Sequence, residues 1–466
     1  MVADKRMSNE TIVSYNPENL NILGEVEVSS IQNVHDAVQK AREAQQDWKA
    51  LGVAGRVKLL RKLYDYLESN KDKFSLLETQ EMGRPIDSSI SSVDWGLERI
   101  KWNLDNAEEI LAPETIFEDS DHLHQMFYEP YGVFGVITPW NFPLSNFVMG
   151  ALQPLIAGNT VVYKSSEEVP LNGQALGEAF AESGIPEGVF SQVYGAGDVG
   201  EALARSDIDF IHFTGSSAVG KKLYAIAAEK FIPVTLELGG SDAGIVFEDA
   251  VLSPEILESI FWAKFVNCGQ ICCGLKRLLV HESRVEEVTE KLKELIASKK
   301  LGSTEEEGVV FGPLAAKRQQ DLLVEQVEDA KAKGAEILMG GKVPEEFSSG
   351  AYYEPTLMTG VTPEMRIYEE EVFGPVLPIY FFKTEEEAIE ETNRTIYGLS
   401  SYVFTEDREL LQRVASQIDA GEVNHNDVGN YAGNPFGGYK SSGIGRTLGK
   451  AGFHHCCQIK MVSSCK

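Results

Sequence analysis

The chain has 466 residues, 43% hydrophobic and 24% charged, the balance of a folded globular protein rather than a disordered one. Its formal charge of −29 excludes a general binder of phosphate backbones or of anionic membrane surfaces, since both rely on clustered Lys and Arg. Six Cys, two vicinal pairs among them, with no CxxC…CxxC and no HExxH, exclude a disulfide framework and a structural zinc site.

The opening MVADKRMSNE has no apolar signal core, so a cytoplasmic location is expected, with no metal and no nucleic-acid or membrane partner. Val34, Ala37, Val38, Ala41, Ala44 and Trp48 then recur at helical spacing. A second amphipathic stretch, through Val57, Leu60, Leu63 and Leu67, runs to a stop at Gly83-Arg84-Pro85, and a third helix covers the region from Val93 to Ile110. From residue 125 the rhythm changes. Strand-like runs at 133–138, 160–163, 191–194, 210–213, 234–238, 244–247 and 277–281 alternate with helical patterns. That alternation predicts βαβ units, a parallel sheet covered on both faces and an α/β class. The apolar stretch 133–163 is broken by Pro139, Asn141, Pro143, Gln153 and Pro154, which excludes a membrane span. A second α/β set follows, with helices near 284–299 and 315–333 and strands near 376–382 and 401–404. The break between the two sets is expected just after 234–240, where a strand ends in Gly-Gly.

Several loops carry chemistry. Thr138-Pro-Trp-Asn-Phe-Pro143 follows a strand and makes a rigid turn; Asn141 in it offers a neutral amide donor, as a developing oxyanion requires. Lys164 and Glu167, at the end of the next strand, set a cation beside a carboxylate. Gly195-Ala-Gly197-Asp-Val-Gly200 satisfies GxGxxG, weak evidence alone, and no acidic ribose residue falls at the usual spacing. Phe213-Thr-Gly215-Ser216, opening a helix, is the alternative anion cradle. Glu237 lies inside an apolar strand ending in Gly239-Gly240. Glu is rarely buried unless paired or functional, and desolvation would suit it to general-base work. The run Phe-Val-Asn-Cys-Gly-Gln-Ile-Cys-Cys-Gly-Leu-Lys-Arg, residues 265–277, sets Cys272 between two glycines where a helix gives way to a strand. Taken singly, a buried structural Cys, a solvated strand-end Glu and ordinary βα turns are the commoner readings of these features.

Together they resemble the aldehyde dehydrogenase superfamily, in the order and spacing of five motifs over nearly the whole chain. The resemblance implies a Rossmann-like coenzyme domain (1–116 and 136–238), a second α/β catalytic domain (239–430) and a small β oligomerisation element (117–135 and 431–466). It implies Cys272 as nucleophile, Glu237 as general base and Asn141 as oxyanion donor with the Cys272 amide. For the coenzyme, NAD with some NADP use, it implies contacts from Thr138, Pro139, Trp140, Asn141, Lys164, Ser166, Glu167, Gly197, Phe213, Gly215, Ser216, Val219, Leu238, Gly239, Glu371 and Phe373. Glu371 is thereby the exception among acidic runs that otherwise read as solvated surface. A homodimer or homotetramer is expected. Two departures stand out: Thr447 replaces the Glu that usually follows Arg446, and the tail around Phe453-His-His-Cys-Cys is unusual.

The mechanism implied is thioester formation on Cys272 and its hydrolysis by Glu237-activated water. By position the substrate path includes Phe142, Ser145, Asn146, Met149, Ile271, Cys273, His425, Asp427, Gly429 and Tyr431. This set contains no Arg, and Met149 stands where the succinate semialdehyde branch has one. The substrate expected is therefore a small neutral or hydroxylated aldehyde, with succinate semialdehyde as the alternative. A CoA-acylating relative would lack Glu237, and a non-enzymatic descendant would tolerate loss of Cys272 or Glu237; both residues are present.

Overall fold

The computed structural model describes residues 11–429 and 431–466. Two sheets dominate it. The first has six strands in the order Gly443–Ile444, Val234–Glu237, Phe210–Thr214, Val133–Ile137, Thr160–Lys164, Phe190–Val193, parallel except for the short Gly443–Ile444 edge. Val133–Ile137, Thr160–Lys164 and Phe210–Thr214 are buried along their whole length, because helices cover both faces, as continuous apolar runs demand. The second sheet has seven strands in the order Glu336–Met339, Thr356–Thr359, Val376–Phe382, Leu275–His281, Asp242–Val246, Ser400–Phe404, Glu422–His425. Only the Glu336–Met339 edge is antiparallel.

The chain crosses from the first sheet to the second between Glu237 and Asp242, at the Gly-Gly read from the sequence. Glu237 ends one strand, and Asp242 begins another, in register with Leu275 just beyond the Cys272 loop. The carboxyl edge of one sheet thus faces the amino edge of the other across a short loop. Arg277 secures that loop: its buried guanidinium donates to the carbonyls of Ser241 (3.0 Å), Glu391 (2.6 Å) and Thr392 (2.9 Å).

Several elements differ from expectation. The second amphipathic stretch is two helices, Gly52–Ser69 and Lys71–Met82, divided at Asn70, whose side chain bonds back to the Tyr66 carbonyl and competes with helix continuation. The broken apolar stretch after Pro143 is nearly continuous helix, carried through a π-helical turn at Val148–Leu152. The strands Thr11–Tyr15 and Ile22–Glu27 pair as a hairpin that apolar periodicity did not signal: the first alternates in burial but one of its buried positions is the polar Ser14, and the second has no clean alternation. The boundary expected at 135/136 cuts through Val133–Ile137, a central strand of the first sheet. The separate three-stranded sheet is instead Glu114–Glu118, His122–Pro130 and Cys457–Cys465, and Gly443–Ile444, also assigned to the oligomerisation element, pairs with the first sheet. Among the described residues no helix is long and apolar enough to cross a membrane.

Replacing Arg277 with Met leaves three carbonyls without their donor. It is expected to cost about 2–4 kcal/mol of stability, read from the midpoint of urea unfolding.

Candidate active site

The helix Pro254–Phe265 ends abruptly before Cys272. Asn267 (φ 52°), Cys268 (φ 52°) and Gly269 (φ 73°) follow in succession in the left-handed region. For the two non-glycine residues that conformation costs about 1–2 kcal/mol each, so something must hold it. Gln270 donates to the Asn267 carbonyl through its backbone (3.0 Å) and its side chain (3.1 Å), and its Oε1 accepts from the Ala315 amide (2.9 Å). The Cys268 thiol donates to the Gly312 carbonyl (3.2 Å). Gly269 needs its missing side chain doubly, since a Cβ there would also overlap the Gly374 carbonyl.

The same loop is tied to the Asn141 turn. Asn267 Nδ2 donates to the Asn141 carbonyl (3.0 Å), and Asn141 Nδ2 donates to the Gln270 carbonyl (3.1 Å). Asn146 Nδ2 donates to Asn141 Oδ1 (3.3 Å) and to the Pro139 carbonyl (3.2 Å), fixing which way the Asn141 amide faces. Arg84 adds a bond to the Asn141 carbonyl (3.1 Å), pairs with buried Glu78 and lies 4.1 Å above the Phe142 ring. The Gly83-Arg84-Pro85 stop signal is therefore also an anchor of the site, a role its punctuation pattern concealed.

Charge is concentrated around Cys272. Glu237 is only 2% exposed, and neither carboxylate oxygen has a hydrogen-bond partner among the described residues. Burial pushes its pKa well above the ordinary carboxyl range and charge on Cys272 adds to the rise; Arg446 and the Thr447 hydroxyl oppose it. Glu371 Oε1 accepts from the Gly240 amide (3.1 Å) and lies 3.8 Å from Lys276 Nζ. Lys276 is 1% exposed, donates to the Ile271 carbonyl and sits 5.1 Å from the centre of the Phe373 ring. The Cys272 thiol is drawn below its usual pKa by a hydrogen bond from Cys273; burial and Glu371 push the other way and Lys276 assists. Cys273 is correspondingly held as the thiol, its pKa pushed well up. Close approach depends on the glycines: a Cβ on Gly240 would stand 2.7 Å from the Cys272 carbonyl, and one on Gly239 would overlap Glu371.

A second group of residues lines the first sheet's carboxyl edge. Lys164 Nζ lies 3.5 Å from Glu167 Oε2. Burial would raise the Glu167 pKa, but Lys164 and Arg318 outweigh it, while burial lowers that of Lys164. Ser216 caps the 14-residue helix Ser217–Lys230 and accepts from the Val219 amide (3.4 Å). Phe213 and Leu238 are buried beside this turn, and Gly197 opens the preceding helix with free space where a Cβ would be. Thr138 donates to the Tyr163 hydroxyl (2.7 Å), Trp140 meets Phe373 edge to face at 5.7 Å, and the Ser166 hydroxyl accepts from the Glu168 amide (3.2 Å).

The residues expected along the substrate path divide. Ser145 is buried with an unpartnered hydroxyl, Met149 is buried, and Phe142 and Ile271 are half-buried beside the Asn141 and Cys272 turns. His425 bonds the Thr405 carbonyl (2.9 Å), and Asp427 is exposed and accepts from the adjacent Val428 amide (2.7 Å). His425 ends the strand Glu422–His425 and Asp427 follows it. Tyr431 is exposed and accepts from the Trp102 indole (3.3 Å). Lys276 and Arg99 escaped the sequence reading, although a Lys four residues past the nucleophile was a visible signal. Replacing Lys276 with Met removes the cation that favours the thiolate. The pH profile of Cys272 alkylation by iodoacetamide is expected to move to higher pH, with a severalfold slower reaction at neutral pH.

A family model described as the aldehyde dehydrogenase family matches residues 4–462. The chain is 38% identical to a betaine aldehyde dehydrogenase, chloroplastic, of Beta vulgaris, covering 96% of this chain and 92% of that one. It is 37% identical to a succinate-semialdehyde dehydrogenase, mitochondrial, of Arabidopsis thaliana, covering 97% and 86%. Among solved structures, betaine aldehyde dehydrogenase from Staphylococcus aureus in complex with NAD+ superposes with a TM-score of 0.92 at 32% identity, over 97% of this chain and 91% of that one. By its motifs, its fold and these likenesses over almost its full length, the chain belongs to the aldehyde dehydrogenase family.

Proposed function

We propose that the protein oxidises an aldehyde to a carboxylic acid with NAD as the hydride acceptor. The observation that carries this reading is one site holding a Cys272 thiol of lowered pKa, the oriented Asn141 amide and the buried, unpartnered Glu237.

The residues present suit the coenzyme. The capped turn at Gly215–Val219 offers helix N-terminal amides to a pyrophosphate, Lys164 and Glu167 offer a cation and a carboxylate to ribose hydroxyls, and Glu371 stands ready for the nicotinamide ribose beside Phe373. The chemistry such a bound dinucleotide supplies is acceptance of a hydride. Glu167 would repel a 2′-phosphate, with Lys164 partly offsetting it. NAD is accordingly expected to give a kcat/KM several-fold above that of NADP in steady-state assays at 340 nm.

The protein's own groups divide the remaining work. Cys272 Sγ, as thiolate, forms the bond to the aldehyde carbon. The carbonyl oxygen then carries the negative charge, which the free N–H of Asn141 and the Cys272 amide would stabilise by about 3–4 kcal/mol per donor. Once that carbon is at the thioester level, Glu237 takes a proton from water, the water oxygen attacks, and the sulfur leaves as thiolate. Gln270 and Asn267 keep the loop rigid throughout, so no reorganisation is needed as charge develops. The three-stranded sheet, which leaves Ile459, Met461 and Val462 exposed, supports association into a homodimer or homotetramer through this element.

Replacing Cys272 with Ala should abolish turnover while leaving the melting temperature unchanged. Replacing Glu237 with Gln should preserve the first-turnover burst of NADH and slow steady turnover by about 10²–10⁴-fold. In the unaltered protein only ionised Glu237 can accept the proton. Deacylation should therefore rise with pH along a limb placed above the ordinary carboxyl range, and this limb should vanish in the Gln variant.

A further inference from the structure

The helix Ile86–Ile110 carries Trp95, Arg99 and Trp102 at i, i+4 and i+7, on one face. Trp102 bonds Tyr431 (3.3 Å), and a Cβ on Gly433 would press on the same indole at 2.6 Å, so this face lies against the C-terminal loop beside the substrate path. The Arg99 guanidinium lies over the Trp95 ring, 4.8 Å from its centre. Its Nε is buried without a hydrogen-bond partner, and among the described residues Arg99 forms no ion pair. Burial draws its pKa down, against the opposing pull of Cys273, Glu422, Cys272 and Glu98. Glu422, at the start of the strand Glu422–His425, and Glu98, the residue before Arg99, are the carboxylates acting on it. Burial holds Glu422 above the ordinary carboxyl range against the pull of Asn424, Arg99 and Ser400.

On this half-buried side chain a buried Nε without an acceptor is costly, and a planar fork steadied on an aromatic ring is prepared for bidentate contact with a carboxylate. We propose that Arg99 anchors a carboxylate at the far end of the aldehyde, so that the substrate class is an oxo acid carrying a terminal aldehyde. The inference rests on the aldehyde-oxidising reading and replaces the expected neutral substrate. It supplies the cation missing from the path residues read in sequence, and supplies it from a different element.

The test compares kcat/KM for 4-oxobutanoate (succinate semialdehyde) with that for its uncharged methyl ester, using the full-length protein and NAD. The unaltered protein should prefer the acid. Arg99→Gln should lower the acid-to-ester ratio about 30-fold or more, and Arg99→Lys, which keeps a cation, should retain more of the preference than Gln does. A preference of the unaltered protein for the ester, or parallel losses on both compounds in a folded Gln variant, would overturn the assignment while leaving aldehyde oxidation standing. Oxidation of neither compound nor any other aldehyde would remove the enzymatic reading on which it rests.

Discussion

The site depends on one exchange of hydrogen bonds between two loops that belong to different sheets. The Asn141 carbonyl accepts from Asn267, and the Asn141 amide donates to the carbonyl of Gln270, two residues before the nucleophile. The exchange adds to the bonds that Gln270 and Cys268 make within and beside the Cys272 loop. The Cys272 loop passes through three left-handed residues, and the Asn141 turn directs polar groups into a buried space. Each satisfies the other, which fixes the spacing between a prospective oxyanion donor and the sulfur without a flexible intermediary. Arg84 closes the arrangement from a third element, and its own burial is tolerable because Glu78 neutralises it.

Around this scaffold the charges are arranged to stay unequal. Lys264 and Lys276 face Glu371, while among the described residues Glu237 forms no ion pair. The carboxylates diverge for a physical reason. Glu371 is pushed up by burial but restrained by Lys276 and the Gly240 amide, so it can act as a hydrogen-bond acceptor for a ligand. Glu237 has only the Arg446 charge and the Thr447 hydroxyl against desolvation. Two glutamates a short distance from one sulfur are thereby suited to different work, clamping and proton transfer, by surroundings rather than by residue type. Thr447 bears on this balance. A second carboxylate at that position would raise the Glu237 pKa further, whereas a hydroxyl lowers it.

Much of this was legible in the sequence. The central strands could be read because they are buried on both faces and appear as unbroken apolar runs, and the break at Gly239-Gly240 falls where the chain changes sheets. Glycines and prolines around Cys272, Glu237 and Asn141 marked places where backbone must approach closely, but the roles expected of the three came from the family resemblance of the motifs taken together. What escaped was set by tertiary placement. The π-helical turn and the break at Asn70 are local choices that periodicity does not register. Arg84 looked like the end of a helix, and Arg99 like one charged residue on a long amphipathic helix. His425 and Asp427 were placed by chain position alone, and their hydrogen bonds to the Thr405 carbonyl and from the Val428 amide could not be read from it.

The protein's overall charge sharpens the argument about Arg99. At −29 the surface repels anions, so long-range steering would slow the approach of an acidic aldehyde and favour a neutral or cationic one. That long-range field is screened within about 8 Å at physiological ionic strength. Inside the path, where screening is weaker, recognition rests on the few fixed charges within reach of Cys272. Arg99 is a cation there without a protein acceptor for its Nε, and Glu422 carries a charge that burial has made easy to lose. Protonation of Glu422 as an anion arrives would remove one of the two carboxylate charges acting on Arg99, leaving Glu98. An acidic exterior and an acidic ligand are therefore compatible: the surface affects the rate of encounter, and Arg99 decides which end of the molecule is held while the aldehyde meets the sulfur.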